Sequence, residues 1–273
     1  MAKKRLIFTL LYKNGNYMLS RNFRLQKVGN LEWLNKHYNF QNIAFSIDEL
    51  IVLNVEDPEK RDLVEFSKDL RSLSKFCFIP IAVGGGINSM DDANLLLHSG
   101  ADKLVLNTAF YSNKKLIKEL IQHYGKQNIV SSIDFKRLDG ENIVLVNNGL
   151  TRIEFSLKEH IDSVCELGAG EIYLNSIDKD GTGQGYELDI FDEVTLNLNT
   201  SLICAGGAGK YEHFLEGINK SYIDGVATAN LFNFLGNGLQ KSREFLIDNK
   251  VNMAKWHNRL EHELKNILRI NNE

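Results

Sequence analysis

The chain has 273 residues, and its 32 basic and 35 acidic side chains leave a formal net charge of −3. So even a balance gives no broad attraction for nucleic acid or for an anionic membrane surface. Apolar residues make up 43 %, enough for a substantial core, yet the longest apolar runs have the length of strands and not of a bilayer-spanning helix.

The opening MAKKRLIFTLLYKNG begins like a secretory leader, but its apolar stretch is short and no small-residue cleavage site follows. It reads instead as a first strand at 5–11. Further strands are predicted at 49–55, 79–83, 103–106, 129–134, 171–175, 201–205 and 225–228. These are almost continuous apolar runs, as expected of parallel strands covered on both faces. Helices with recognisable ends lie between them. Ser89 caps one that runs through Leu97 and stops at Gly100, and Leu116, Ile117, Leu120, Ile121 and Tyr124 form the apolar stripe of another that ends at Gly125. The last stretch, 251–270, carries Trp256, Leu260, Leu264 and Ile267 at helical spacing. It predicts a C-terminal helix, either packed on the outside or offered to a partner. The three cysteines, Cys77, Cys165 and Cys204, are scattered through apolar contexts with neither disulfide nor zinc spacing, a reducing-compartment pattern that predicts a cytoplasmic protein. The seven histidines are dispersed and read as surface residues.

The chain also repeats itself. IAVGGGI at 81–87 is echoed by LICAGGA at 202–208, and DKLVLNTAF at 102–110 by DGVATANLF at 224–232. Asp102 to Asp224 is a shift of 122 residues, and the same shift carries Glu49 onto Glu171. The opening strand maps onto NIVSSIDFKRLDG with one extra residue. Eight strand–helix units in two matching halves predict an α/β fold, a (β/α)8 TIM barrel, with an open doubly wound sheet as its rival. The chain is read as one domain over 1–273, with half-barrels at about 1–125 and 126–250.

In such a barrel the chemistry gathers at the C-terminal ends of the strands. Gly84, Gly85 and Gly86 in one half, and Gly206 and Gly207 in the other, are suited to present backbone N–H groups to a phosphate. Asn107 with Thr108, and Ala229 with Asn230, would complete two opposed cradles. The bland alternative is that the glycines only allow tight turns. Asp134 ends the fifth barrel strand between the cradles, the place for a general acid or base, unless it merely pairs with Lys136. Asp178, Asp180 and Gly181 lie in a glycine-rich loop that could close over a ligand or be a plain turn. At the opposite face the strand starts bring together Arg5, Glu49, Lys103 and Glu171, a ring of two cations and two anions that reads as a structural plug. No pattern calls for a metal or an organic cofactor.

The segments VGGGI, ADKLVLNTA, SIDFKR, GAGEIYLNSIDKDGT-x-x-GY and AGGAGK-x-EHFLE together resemble the cyclase subunit of imidazole glycerol phosphate synthase, in register from about Lys4 to Asn249. The resemblance implies a barrel of two half-barrels paired with a glutaminase. Ammonia from that partner enters through the charged ring and reaches a bis-phosphate at the other end. It also turns Arg5, Glu49, Lys103 and Glu171 from a plug into a gate.

The departures matter as much. Where the family has an aspartate ending the first strand, this chain has Leu11. A family lysine near the first loop is Leu19, an aspartate ending the second strand is Asn54, and a serine of the seventh-strand glycine motif is Ala205. Leu11 followed by Tyr12-Lys13-Asn14-Gly15 resembles a divergent branch associated with amidation of surface sugars in O-antigen or flagellar glycans. The resemblance there implies ammonia supplied to a separate sugar-amidating enzyme. Two other readings stay open: a genuine cyclase of histidine biosynthesis that tolerates Leu11, and a silent partner that binds ligand and activates the glutaminase.

Overall fold

The computed structural model describes residues 3–38, 40–194 and 200–255. Eight strands pair in parallel around a closed ring: β1 (Arg5–Lys13), β4 (Glu49–Asn54), β5 (Ile81–Gly84), β6 (Lys103–Leu106), β7 (Ile129–Leu138), β10 (Glu171–Ser176), β11 (Ser201–Ala205) and β12 (Gly225–Thr228), with β12 returning to β1. Helices α1 (Leu31–His37), α2 (Leu63–Ser74), α3 (Met90–Leu97), α4 (Thr108–Ser112), α5 (Lys114–Tyr124), α6 (Leu157–Leu167), α7 (Leu188–Val194), α8 (Tyr211–Ile218) and α9 (Gly238–Asp248) lie between and after them. The structure is the predicted (β/α)8 barrel.

Strand alternation divides the core in two. Outward residues such as Leu6, Phe8, Leu50, Val83, Leu104, Ile133, Leu174 and Val226 pack beneath the helices. Inward residues form a separate column along the axis: Ile7, Ile51, Ala82, Val105, Val130, Tyr173, Ile203, Ala205 and Ala227. The apolar runs are continuous because both faces of each strand are buried.

Helix starts follow the expected chemistry. The Ser89 side chain accepts the Asp92 N–H, Asp62 accepts those of Val64 and Glu65, and Ser156 with Glu159 forms a complete capping box. Gly125 closes α5, as predicted. The C-terminal helix predicted over 251–270 does not begin at 251: residues 251–255 are not helical, because the Lys4 N–H takes the Asn252 carbonyl and the buried Met253 bridges to Lys4, and from residue 256 onward the stretch lies outside the described residues.

Three features correct the sequence reading. First, β1 and β7 run past their apolar segments into antiparallel hairpins. β1 pairs with β2 (Asn16–Arg21), which pairs with β3 (Arg24–Gly29); β7 pairs with β8 (Glu141–Val146), which pairs with β9 (Thr151–Ser156). The turns are Asn14-Gly15 and Asp139-Gly140, with φ of 46° and 71°, then 51° and 83°. Both central residues at positive φ form the tight turn whose twist suits a hairpin, which is why these dipeptides occupy it. Second, the third barrel strand starts at Ile81 and not at 79, because Pro80 has no N–H to give the ladder and contributes only its carbonyl, to Leu50 N–H. Third, His160 and His213 are buried. His160 sits on the inner face of α6 with Leu157, Ile161 and Val164, and burial pulls its pKa down to about 4, helped by the charge of Lys114. His213 is buried on α8 and takes the Gly209 N–H on Nδ1.

Candidate functional site

The C-terminal ends of the strands surround a cavity of about 510 Å³. Its two glycine turns follow directly on β5 and β11. Gly85 and Gly86 have φ of 98° and 90°, and Gly206 and Gly207 have 85° and 110°. A Cβ on Gly85 would lie 2.1 Å from the Asn54 carbonyl oxygen, and one on Gly207 would lie 2.1 Å from that of Gly185. Neither backbone could move aside, so both turns require glycine on steric as well as conformational grounds. Gly85, Gly86, Asn107, Thr108, Asp134, Asp180, Gly181, Gly206, Gly207, Ala229 and Asn230 all line this one cavity. The topology thus brings the sequence-predicted mouth residues together, while Leu19 is not among the lining residues.

Asp134 projects from the inner face of β7 into the cavity floor. Its Oδ2 accepts a hydrogen bond from Asn107 Nδ2 at 3.0 Å and its Oδ1 one from Asn175 Nδ2 at 2.9 Å. Asn107 also donates to the Ser132 carbonyl, so its amide is turned toward Asp134 and holds it from below one cradle. Burial pushes the Asp134 carboxyl up to about 7, the Asn175 bond works against that, and the negative charge of Asp180 adds to it. A carboxyl that is half protonated near neutrality can both take and return a proton. Across the floor, Leu11 on β1 is level with Leu53 on β4. One side of the floor is therefore polar, built from Asn107, Asp134, Asn175 and Ser132, and the other is apolar.

The mouth is roofed from one side by the β2–β3 hairpin. Asp180 is buried, and its carboxylate takes the Ser20 hydroxyl and the Phe23 N–H, the latter at 3.1 Å. The Asn22 N–H meets the Asp180 carbonyl at 3.0 Å, and its side-chain amide meets the carbonyls of Ile177 and Asp178. The loop after β10 is thus pinned to the hairpin by its aspartate, and Gly181 allows the approach, since a Cβ there would lie 2.0 Å from the Ser20 carbonyl oxygen. Asp178 instead accepts the Arg137 N–H at 2.8 Å.

At the opposite face the four charges form a closed ring. Arg5 Nη1 lies 2.7 Å from Glu49 and 2.8 Å from Glu171, and Lys103 Nζ lies 3.1 Å from Glu49 and 3.0 Å from Glu171. Glu49 is the most enclosed, with a side chain only 3 % exposed. Burial raises its pKa against the pull of Lys103 and Arg5, whereas for Arg5 burial is outweighed by Glu171 and Glu49 and the net shift is upward. Between ring and cavity stands the apolar column. Tyr173 crosses it, its hydroxyl 3.2 Å from Thr9 Oγ1, and joins the cavity floor. The two residues come from β10 and β1, which are separated on the shorter way round by β11 and β12.

Arg61, Tyr173 and Asn148 are among the lining or axial residues that escaped the sequence reading. Tyr173 had a signal, because the 122-residue shift places it opposite Ile51 and shows a polar tip where its counterpart has none. Among the described residues there is no cluster of His, Cys, Asp and Glu that could hold a metal ion, and no helix is long and apolar enough to cross a membrane.

The pattern of the family described as histidine biosynthesis protein matches residues 34–237. A protein of Parasynechococcus marenigrum named "Putative imidazole glycerol phosphate synthase subunit hisF2" is 42 % identical over 257 residues, 94 % of this chain and 95 % of its own length. Proteins named imidazole glycerol phosphate synthase subunit HisF, from Chlorobaculum parvum and Chlorobium luteolum, are each 34 % identical over 254 residues, 92 % of this chain and 98 % of theirs.

Proposed function

Because the chain belongs to the histidine biosynthesis protein family, with HisF subunits of imidazole glycerol phosphate synthase as relatives over nearly its whole length, we propose that it is the barrel subunit of a glutamine amidotransferase. A separate glutaminase docks on the face that carries Arg5, Glu49, Lys103 and Glu171 and releases ammonia there. The ammonia passes the ring, moves along the apolar column and meets a phosphorylated acceptor held by the two glycine turns. The acceptor in this reading is a sugar destined for a surface glycan of the O-antigen or flagellar kind. It is amidated at the mouth or by a sugar-amidating enzyme docked there.

The observation that carries the reading is the contrast between the two ends of the barrel. The charged ring is complete and closed, whereas the cavity floor has one carboxyl, Asp134, and Leu11 beside Leu53 where the family pairs a second aspartate with it. On this reading the chain keeps the family's ammonia entrance and lacks its pair of acid–base carboxyls. Losing one of two cooperating acid–base groups costs orders of magnitude in rate.

The second reading, a working cyclase of histidine biosynthesis, is favoured by one feature: Asp134 titrates near neutrality between two intact glycine turns. The purified chain is given the family's open-chain bis-phosphate with ammonium salt at alkaline pH, with Leu11→Asp beside it, and imidazole glycerol phosphate is assayed. The expected result is no turnover by the unmodified chain. Turnover at a rate useful to a cell makes it a true cyclase and overturns the amidation reading.

A further inference from the structure

The cavity has a charge problem. Among the described residues that line it are three carboxylates, Asp92, Asp134 and Asp180, and a single cation, Arg61. A ligand with two phosphate dianions would meet more negative than positive charge, and backbone N–H groups alone would have to offset the difference. Where that one cation stands therefore decides where the charge of the ligand goes.

Arg61 stands over the first glycine turn. Its stem lies across Gly86 so closely that a Cβ there would be 2.4 Å from Arg61 Cδ and 3.4 Å from Nη1. The guanidinium is fixed from the side: Nη2 donates to the Glu56 carbonyl at 2.7 Å and to Asn148 Oδ1 at 3.3 Å. Asn148, at the turn after β8, also donates to the Glu56 carbonyl at 3.1 Å and so ties the second hairpin to this loop. The Arg61 Nε is enclosed without a hydrogen-bond partner.

The neighbouring carboxylates, Glu56 and Asp57, act on Arg61 only from beyond ion-pair distance. Lys13 Nζ takes Glu56 at 3.1 Å and Asp57 at 3.3 Å, and among the described residues Arg61 has no ion pair. Burial lowers its pKa against the charges of Glu56 and Asp57, yet a guanidinium stays charged at any physiological pH. On the cavity side, Asp92 is spent on the Asn88 N–H at 2.9 Å. The result is a held, partly buried guanidinium in want of an anion. The other half has no guanidinium at the matching position, where the 122-residue shift carries Arg61 onto Gly183; the stem of Lys179 passes 3.1 Å from where a Gly207 Cβ would stand, but Lys179 does not line the cavity.

Resting on the reading of the glycine turns as phosphate cradles, we propose that Arg61 makes the two cradles unequal. The Gly85–Gly86 cradle takes a phosphate dianion under the guanidinium, and the Gly206–Gly207 cradle takes the less charged end of the ligand. A sugar phosphate is then bound in one orientation, its phosphate at the Arg61 end and its hydroxyl-bearing end at Ala229 and Asn230.

The test uses the full chain and inorganic phosphate as probe, titrated calorimetrically at pH 8 and constant ionic strength, with Arg61→Gln and Arg61→Lys beside it. The expected result is two sites that differ in Kd by about tenfold or more, with Arg61→Gln weakening the tighter one by about 10- to 100-fold, the range of a charge-assisted hydrogen bond. Arg61→Lys, which keeps the charge and much of the stem over Gly86, recovers part of the loss. If the unmodified chain binds no phosphate, the cradle reading itself fails and this proposal with it. If it binds two phosphates equally, or if Arg61→Gln binds as the unmodified chain does, the cradles stand and the proposal is overturned. Should Arg61→Gln not fold, the inequality of the two sites in the unmodified chain still decides.

Discussion

The carboxyl of Asp134 titrates at about 7 in place of 3.8, and that displacement has a consequence for stability that needs no knowledge of the substrate. In the folded protein the proton is held more tightly than in the unfolded chain. The group's contribution to stability is therefore greatest below pH 4 and is lost progressively as pH rises from about 4 to about 7. Ionising Asp134 in place costs about 4 kcal/mol at roughly 1.4 kcal/mol for each tenfold change in proton affinity. Most of the change falls between pH 5 and pH 8, where the linkage relation gives about 2 to 3 kcal/mol. Asp134→Asn removes the titration and keeps the shape. Urea unfolding of both proteins at pH 5 and pH 8 isolates it, because other titrating groups, His160 included, cancel in the difference. The variant is expected to gain about 2 to 3 kcal/mol on the unmodified chain between those two pH values, whatever their offset at pH 5. Parallel stability profiles would mean that Asp134 ionises as an ordinary carboxyl, and the argument for it as a proton-transfer group at neutral pH would go with them.

Further outcomes follow from the same contacts. Glu49→Gln leaves Arg5 and Lys103 sharing one carboxylate in an enclosed ring and is expected to cost about 3 kcal/mol, more than Glu171→Gln, as measured by chemical denaturation. On the proposed reading, Lys103→Met or Glu171→Gln in the complex with the glutaminase uncouples glutamine hydrolysis from amidation while the barrel stays folded; unchanged coupling in both counts against the channel. Asp180→Asn weakens the hold on Ser20 and Phe23, and trypsin should then cut at Arg21 or Arg24 several-fold faster. Tyr173→Phe strands Thr9 Oγ1 in the column and is expected to cost about 1 kcal/mol in urea unfolding, with no change in circular dichroism.

The barrel was legible because a parallel strand buried on both faces leaves an unbroken apolar run, and because half the chain repeats the other half. The ring was legible for the same reason: Arg5, Glu49, Lys103 and Glu171 are first inward positions on their strands, and one of the two acid positions is the copy of the other. What escaped notice was polar. The strands β2, β3, β8 and β9 carry short, half-exposed sequences that burial does not pattern, although Asn14-Gly15 and Asp139-Gly140 announced their turns. Arg61 follows Pro58 in a stretch of mixed charge and reads as solvated, since only the tertiary fold lays its stem on Gly86. His160 could have been placed correctly, because Leu157, Ile161 and Val164 share its face of α6 at helical spacing.

A leucine opposite an aspartate is a different device from a pair of aspartates. Two carboxyls on opposite walls can serve two proton transfers at once, one as acid and the other as base. On the proposed reading, with Leu11 and Leu53 on one wall, the floor serves one proton at a time, beside an apolar surface that penalises a charged nucleophile. Ammonium would have to shed its proton to sit there, whereas neutral ammonia would not. The column that leads to this floor, Ile7, Ile51, Val130 and Ile203 around Tyr173, imposes the same preference. On the proposed reading, both segments select the neutral form, and Asp134 is left to take the single proton that ammonia loses as it bonds to its acceptor. Leu11→Asp would change that selection at the floor and leave the column as it is. Use of bulk ammonium by the variant should then move to lower pH than in the unmodified chain. A pH profile that does not move would show that the wall opposite Asp134 takes no part in choosing the nucleophile.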